Sequence, residues 1–247
     1  MSAAAAYRDD SAQTALCGGD DRAVCGLCPH ACRLRPGETG FCRTRENRAG
    51  TIRPLNYGRF TSLALDPIEK KPLYHFHPGS FILSVGSFGC NLRCPFCQNY
   101  AISMADGQSE TQDVTPAELA SLAHDLSRRP HGNIGVAFTY NEPTLQAEYI
   151  LEAAPLLREN GIAVVLVTNG VMSGPVASEL LTCTDAANVD LKAFDTERYR
   201  RLGGSLDAVK ANIASWVRGG VHVELTHLVV PGLVDPGEGF DAMTDWI

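Results

Sequence analysis

Seven of the nine cysteines fall into two clusters. Cys90, Cys94 and Cys97 form C-x3-C-x2-C within GSFGCNLRCPFCQNY. A closed four-iron cluster takes four protein thiolates. Three thiolates leave one iron open, as a catalytic metal keeps a position free for substrate. Gly86 and Gly89 allow close approach of the backbone, and successive N–H groups in such a loop can point at cluster sulfurs. The competing reading is a zinc knuckle with a distant fourth ligand. Cys25, Cys28, Cys32 and Cys42 form C-x2-C-x3-C-x9-C in a segment dominated by Gly, Pro and Arg, with no sustained helical period. That segment is too polar to hold itself by a core, so bound zinc or an auxiliary iron–sulfur cluster could supply its folding energy. His30 lies between two of these cysteines and reads as a hydrogen-bonded loop histidine ahead of a spare ligand. Cys17 and Cys183 read as a tail thiol and a small buried hydrophobe.

The body of the chain must position these groups. FILSVG (81–86) is a short apolar run ending in glycine, a buried-strand signal. Thr115-Pro116-x-Glu118 is a helix start before ELASLAHDLSRR, and the helix extends to about Arg129. IGVAFT (134–139), IAVVLVT (162–168), ANVDLKA (187–193) and VHVELTHLVV (221–230) read as further strands. LQAEYILEAAPLLREN, VASELL and SLDAVKANIASWVR (205–218) read as the helices between them. Apolar strands covered by helices mean an α/β fold with a parallel sheet, as a barrel or an open sheet. GEGFDAMTDWI reads as the start of another helix cut short, so a longer parent chain is expected. The organisation expected is a tail (1–24), a Cys-rich metal-binding segment (25–60), a connector (61–80) and the barrel (81–247).

On this scheme the three-Cys loop, Asn141-Glu142, Asn169 and the Asp190/Lys192 pair all sit at the carboxyl ends of strands, where an α/β barrel places its active site. Taken singly, Glu142 could be a helix-start acid, Asn169-Gly170 a common turn, and Asp190 with Lys192 an i,i+2 ion pair. Their concentration at one rim favours the catalytic reading.

The chain has 247 residues, 45% hydrophobic and 20% charged, an ordinary globular composition. Residues 1–60 carry nine Arg and six acids, and the remainder carries a net charge of -10. An acidic body argues against general nucleic-acid affinity, although the basic stretch from Arg33 to Arg59 could meet an acidic partner. No apolar run approaches the roughly 18 residues of a membrane span. MSAAAAYRDD has neither the basic nor the apolar region of an export signal, so a cytoplasmic location is expected. Nine cysteines in a reducing compartment point to metal or redox chemistry.

The triad with Phe96 before its last cysteine resembles the signature of radical S-adenosylmethionine (SAM) enzymes. From residue 25 onward, CGLCPHACRLRPGETGFCRTRENRAG, DPIEKKPLYHFHPGS, GCNLRCPFCQN, TYNEPT, TNG, VDLKAFD and VVPG resemble the radical SAM component of the AmmeMemoRadiSam system. That group is similar to the pyruvate formate-lyase activating enzymes, which are glycyl-radical activases. The resemblance implies a partial (βα)6 barrel. It implies a [4Fe–4S] cluster on Cys90, Cys94 and Cys97, with SAM on the fourth iron. It implies that Glu142 hydrogen-bonds the SAM amino group, and that Asp190 and Lys192 contact SAM beside Asn169. Asn141 replaces a family glycine, Val167 stands where the activases carry an acid of a cation site, and Thr226 replaces a strand-five Arg. Glu224, facing the same side as Thr226, is a candidate SAM or substrate contact; the alternative is a pair with a cation such as Lys192.

The chemistry implied is reductive cleavage of SAM to methionine and a 5′-deoxyadenosyl radical that abstracts a hydrogen atom, with an electron donor of flavodoxin or ferredoxin type and a partner or substrate protein. The competing classes are a glycyl-radical activase, an iron–sulfur electron-transfer protein without SAM chemistry, and a zinc-stabilised binding module. DPIEKKPLYHFHPG, which holds two of the four lysines, reads either as a solvated connector or as a lid or partner contact on the substrate side.

Overall fold

The computed structural model describes residues 14–16, 21–234 and 238–247; Cys17 and most of the expected tail lie outside them. The N-terminal part is a set of short ladders. β1 (Thr14–Leu16), β2 (Ala23–Cys25) and β3 (Arg33–Leu34) form a small antiparallel sheet. β4 (Arg45–Arg48) and β5 (Thr51–Pro54) form a hairpin. Its two loop residues, Ala49 and Gly50, have φ of 51° and 89°, the left-handed pair that suits the twist of a tight hairpin. β6 (Arg59–Phe60) follows.

The next strand lies in the segment expected to be a connector. β7 (Ser62–Pro67) pairs antiparallel with β8 (Phe81–Gly86) along its whole length. Beyond β8 come α1 (Tyr100–Ser103), β9 (Gln112–Asp113), which pairs with β6, and α2 (Pro116–Ser127). Then follow β10 (Gly135–Phe138), α3 (Ala147–Glu159), β11 (Ala163–Thr168) and α4 (Gly174–Leu181). β12 (Ala186–Asp190), α5 (Thr196–Arg201), α6 (Leu206–Arg218), β13 (His222–Thr226) and α7 (Glu238–Trp246) complete the described chain. The expected capping box is present: Thr115 Oγ1 accepts from the Glu118 N–H, and Glu118 accepts from the Thr115 N–H. The last strand is shorter than the apolar run 221–230 because β12 ends at Asp190, opposite Thr226, and leaves no partner beyond. The short helix α5, capped by Asp195, has no apolar period to announce it.

The main sheet runs in the order β13-β12-β11-β10-β8-β7, with β8 to β13 parallel. Strands added one after another on the same side, with helical crossovers of one hand, put the helices on one face and curve the sheet toward a barrel. The fold is therefore the partial α/β barrel expected, with a Cys-rich N-terminal segment.

Two cores follow from the period-2 alternation of the strands. Leu83, Val85, Val136, Phe138, Val164, Leu166, Ala187 and Val189 pack under the helices. Ile82, Ala137, Val165 and Ala186 face the concave side and pack against Ile68 and Leu73, with Phe76 beside them. Within DPIEKKPLYHF, Ile68, Lys71 and Leu73 are buried against the concave face near the strand starts, while Lys70, Tyr74 and His75 are exposed. Lys71 is buried and pairs with Asp66 at 2.9 Å. The Asn188 side-chain amide donates to the Pro72 carbonyl at 3.0 Å.

Glu224 secures the outer end of this plug. Its carboxylate accepts the Tyr74 N–H at 2.8 Å, the His75 N–H at 2.9 Å and the His222 ring at 2.9 Å. The donors nearest Glu224 belong to the plug and to its own strand, and Lys192, the alternative partner, pairs with Asp190 instead. Burial alone would raise the Glu224 carboxyl, but the hydrogen bonds from His222, Tyr74 and His75 bring it down to about 2. A depressed carboxylate stabilises above its unfolded value, ~4.3, and that contribution is lost only as the pH falls through the folded value. Hydrogen exchange at the Tyr74 and His75 amides is expected to keep its protection at pH 3.5 and to lose about tenfold in a Glu224→Ala variant, the equivalent of one charge-assisted hydrogen bond. Equal protection in the variant would rule out the clamp.

Candidate active site

The expected rim is assembled at the carboxyl end of the parallel strands. The loop after β8 carries Cys90, Cys94 and Cys97, and its backbone is held from two neighbouring strands. Asn141, after β10, accepts the Ser87 N–H at 2.9 Å and donates to the carbonyls of Phe88 and Gly89, each at 3.1 Å. Asn141 was expected to bind cofactor; here it spends its amide bracing the cysteine loop. Asn169, after β11, donates to Asn91 Oδ1 at 2.8 Å, and the Asn91 amide donates to the Val171 carbonyl at 2.6 Å. The same Asn169 amide lies 3.8 Å from Cys90 Sγ. The Leu92 N–H donates to Cys90 Sγ at 3.4 Å, and Cys97 Sγ lies 3.2 Å from Ser103 Oγ at the end of α1.

Asp190, at the end of β12, pairs with Lys192 at 2.9 Å. The i,i+2 pair foreseen as the bland alternative therefore exists, but it also faces the cysteines: Lys192 interacts electrostatically with Cys94 and Cys90, and Asp190 with Cys94. Burial would lower the Lys192 ammonium, and Asp190 with the two thiols outweighs it and raises it. Burial pushes the Cys90 thiol up to about 12, with Glu142 adding to the effect. Cys94 is pushed up to about 11 by burial, with Lys192 pulling against it. A cation beside buried thiols is what thiolate ligands need, because ligation removes their protons.

Glu142 stands buried between two strand ends. It is 2% exposed; its Oε1 accepts from the Thr144 N–H (3.0 Å), Thr144 Oγ1 and Thr168 Oγ1 (2.7 Å), and its Oε2 accepts from the Asn169 N–H (2.9 Å). Each carboxylate oxygen offers about two acceptor positions, so Oε2 keeps one to offer. Burial raises its carboxyl. In this arrangement Glu142 ties the β10 loop to the β11 loop. Thr144, Thr168 and Asn91 are site residues not singled out from the sequence, although each stood inside a quoted motif: TYNEPT, TNG and GCNLRCPFCQN.

The N-terminal segment forms the wall behind the loop. Gly89 has φ of 85°, and a Cβ there would stand 2.3 Å from Thr44 Cγ2 and 2.8 Å from the Cys42 carbonyl. Arg93 lies over the Phe41 ring, 3.9 Å from its centroid, and donates to the Phe41 carbonyl. The buried Arg45 reaches across to α3 as a bidentate pair with Glu148 and donates to the Leu145 carbonyl at 2.8 Å.

A parallel α/β half-barrel presenting three cysteines of one loop at its carboxyl rim defines an enzyme scaffold that holds a thiolate-bound cofactor. The family model of the radical SAM superfamily matches residues 84–246, and the chain belongs to that superfamily. It is 35% identical over 218 residues to "Uncharacterized protein MJ0808" of Methanocaldococcus jannaschii, covering 87% of this chain and 63% of that protein. It is 30% identical over 168 residues to the pyruvate formate-lyase-activating enzyme of Clostridium pasteurianum, covering 64% of this chain and 66% of that one. The chain thus spans less than two thirds of the length of these relatives. The crystal structure of a radical SAM methyltransferase from Sphaerobacter thermophilus superposes with a TM-score of 0.52 at 18% identity, over 69% of this chain and 54% of that one, a likeness of fold. Among the described residues no helix is long and apolar enough to cross a membrane.

Members of the superfamily are enzymes that use a [4Fe–4S] cluster and SAM. The donor set here fits that cluster: three thiols on one loop, an N–H directed at Cys90 Sγ, and the Lys192 ammonium beside Cys90 and Cys94. Among the described residues no three His, Cys, Asp or Glu side chains close on one point as a single ion requires.

Proposed function

We propose that this chain is a radical SAM enzyme of the AmmeMemoRadiSam type that abstracts a hydrogen atom from a substrate held at the carboxyl rim of the half-barrel. The observation that carries the reading is the gathering of Cys90, Cys94, Cys97, Asn169, Asp190 and Lys192 at that rim. Held by Cys90, Cys94 and Cys97, the cluster would supply, with SAM, one-electron cleavage of the sulfonium to methionine and a 5′-deoxyadenosyl radical. The chain's own residues hold and shield. Cys90, Cys94 and Cys97 are the ligands. Asn141 and Asn91 fix the loop that carries them, and Lys192 balances thiolate charge. Asp190 holds Lys192 in place and offers a carboxylate oxygen at the rim. The plug at residues 68–76 closes the concave face from the strand starts, so the rim is the open side and water is excluded from below. A one-electron donor of flavodoxin or ferredoxin type serves the cluster. The eight described cysteines are free thiols, in keeping with a reducing cytoplasm.

The test uses protein reconstituted anaerobically with iron and sulfide, given dithionite and SAM, and analysed for 5′-deoxyadenosine by mass spectrometry. The wild type is expected to form it and Cys94→Ala to form none. A chain that takes up no iron, or a four-iron chain that binds SAM and never cleaves it, overturns the reading.

The second reading, a glycyl-radical activase, is favoured by the 30% identity to pyruvate formate-lyase activating enzymes. Deuterium from a glycine-labelled partner protein appearing in 5′-deoxyadenosine would select it; label from a small molecule would exclude it.

A further inference from the structure

The four N-terminal cysteines are not used by the site described above, yet the fold gathers them. Cys25 ends β2, and its N–H donates to the Cys32 carbonyl at 2.9 Å. Cys42 comes from the next loop, where a Cβ on Gly40 would stand 3.5 Å from Cys32 Sγ. The Cys28 thiol interacts electrostatically with those of Cys25, Cys42 and Cys32. Four thiols from two loops therefore share one neighbourhood.

Two of the sulfurs also receive a donor. The Phe41 N–H donates to Cys32 Sγ at 3.5 Å, and Thr44 Oγ1 to Cys42 Sγ at 3.3 Å. A neutral thiol is a weak acceptor; donors turned onto Cys32 and Cys42 suit thiolates that carry charge. Two non-glycine residues next to these cysteines, Ala31 and Arg43, have φ of 44° and 63°. Such left-handed turns cost about 1–3 kcal/mol each and persist where the surroundings over-determine them. His30 is excluded from the ligand set: its Nε2 lies 2.9 Å from the Asn91 carbonyl oxygen and its ring stacks on Phe41.

We propose that Cys25, Cys28, Cys32 and Cys42 hold a second metal centre, separate from the Cys90–Cys97 site, in which four thiolates close the coordination of a thiophilic metal, as a zinc ion or an iron–sulfur cluster. Four protein thiolates leave no open position, so the centre is structural in its coordination. The part it stabilises is the wall behind the catalytic loop: the Cys42 carbonyl and Thr44 against Gly89, and Phe41 under Arg93. Among the described residues the sulfurs do not close on one point.

The test is made on the full chain carrying Cys90→Ala, Cys94→Ala and Cys97→Ala, which removes the catalytic cluster and leaves the second centre alone. The protein is produced with both iron and zinc supplied, and each metal and acid-labile sulfide are measured per chain, alongside the intact mass under native and acid conditions. The expected result is about one zinc, or about four irons with matching sulfide, released together on acidification. Adding Cys25→Ala and Cys28→Ala is expected to abolish it. A folded triple variant with neither metal overturns the proposal, as does metal that survives the two further substitutions. Loss of the catalytic cluster in the triple variant bears only on the radical SAM reading, so the two fail separately.

Discussion

Replacing Asp66 by alanine is expected to cost about 3–5 kcal/mol of stability, the usual effect of stranding one member of a buried ion pair. Asp66 accepts from Lys71 Nζ at 2.9 Å, Lys70 Nζ at 3.0 Å and the Tyr140 hydroxyl at 2.6 Å. Without it the Lys71 ammonium, 1% exposed, keeps only the Tyr140 hydroxyl at 3.5 Å and the face of the Tyr140 ring, 4.5 Å from its centroid. The double replacement Asp66→Leu with Lys71→Met is expected to cost far less, because no charge is left in the apolar plug. Acid dependence supplies a second signature. Burial would raise the Asp66 carboxyl, but hydrogen bonds from Tyr140, Lys71 and Lys70 hold it well below the usual carboxylate range. Its contribution is complete above ~3.9, the unfolded value, and is lost progressively as the pH falls from there through the lower folded value. Urea unfolding at pH 7 and pH 3 measures both effects. A single variant within about 1 kcal/mol of wild type would show that the pair is solvated, as exposed pairs are.

Gly89→Ala is expected to lower 5′-deoxyadenosine formation by about 100-fold, the scale on which a misplacement of about 1 Å is felt in catalysis. The position needs φ of 85°, and its Cβ would meet Thr44 Cγ2 at 2.3 Å and the Cys42 carbonyl at 2.8 Å. Thr44 is buried and the carbonyl is backbone, so the yielding part is the loop that carries Cys90. The companion change Thr44→Ser removes the Cγ2 contact and leaves the carbonyl contact. It is expected to restore a fraction of the activity and of the iron content, not the whole. Wild-type turnover in Gly89→Ala would mean that the N-terminal wall does not set the position of the loop.

What could be read in the sequence was what is local. The C-x3-C-x2-C spacing, the Thr115–Glu118 box and the apolar runs of β8, β10 and β11 are short-range patterns, and the structure places Cys90, Asn169, Asp190 and Lys192 at one rim as that alternation implied. Long-range pairing was not legible. SLALDP alternates only weakly and ends in Asp-Pro, so nothing announced an antiparallel strand against β8. The plug was hidden for the same reason, since the partners of Ile68 and Leu73 lie on four different strands. The donors that Thr168 and Asn169 give Glu142 come from a neighbouring strand end and were not legible either. Glu224 faced inward as alternation implied, but what it meets there depended on where residues 74 and 75 run.

The link between Arg45 and Glu148 spans 103 positions of the chain. At about 5–20 residues per second, the ribosome makes the guanidinium on the order of 5–20 s before its carboxylate partner. During that interval the four early cysteines and their short ladders have no barrel to rest on. The segment that becomes the wall of the active site is thus synthesised well before the helix that pins it. Its turns and hairpin must keep their shape through a delay long compared with the microseconds in which a hairpin closes.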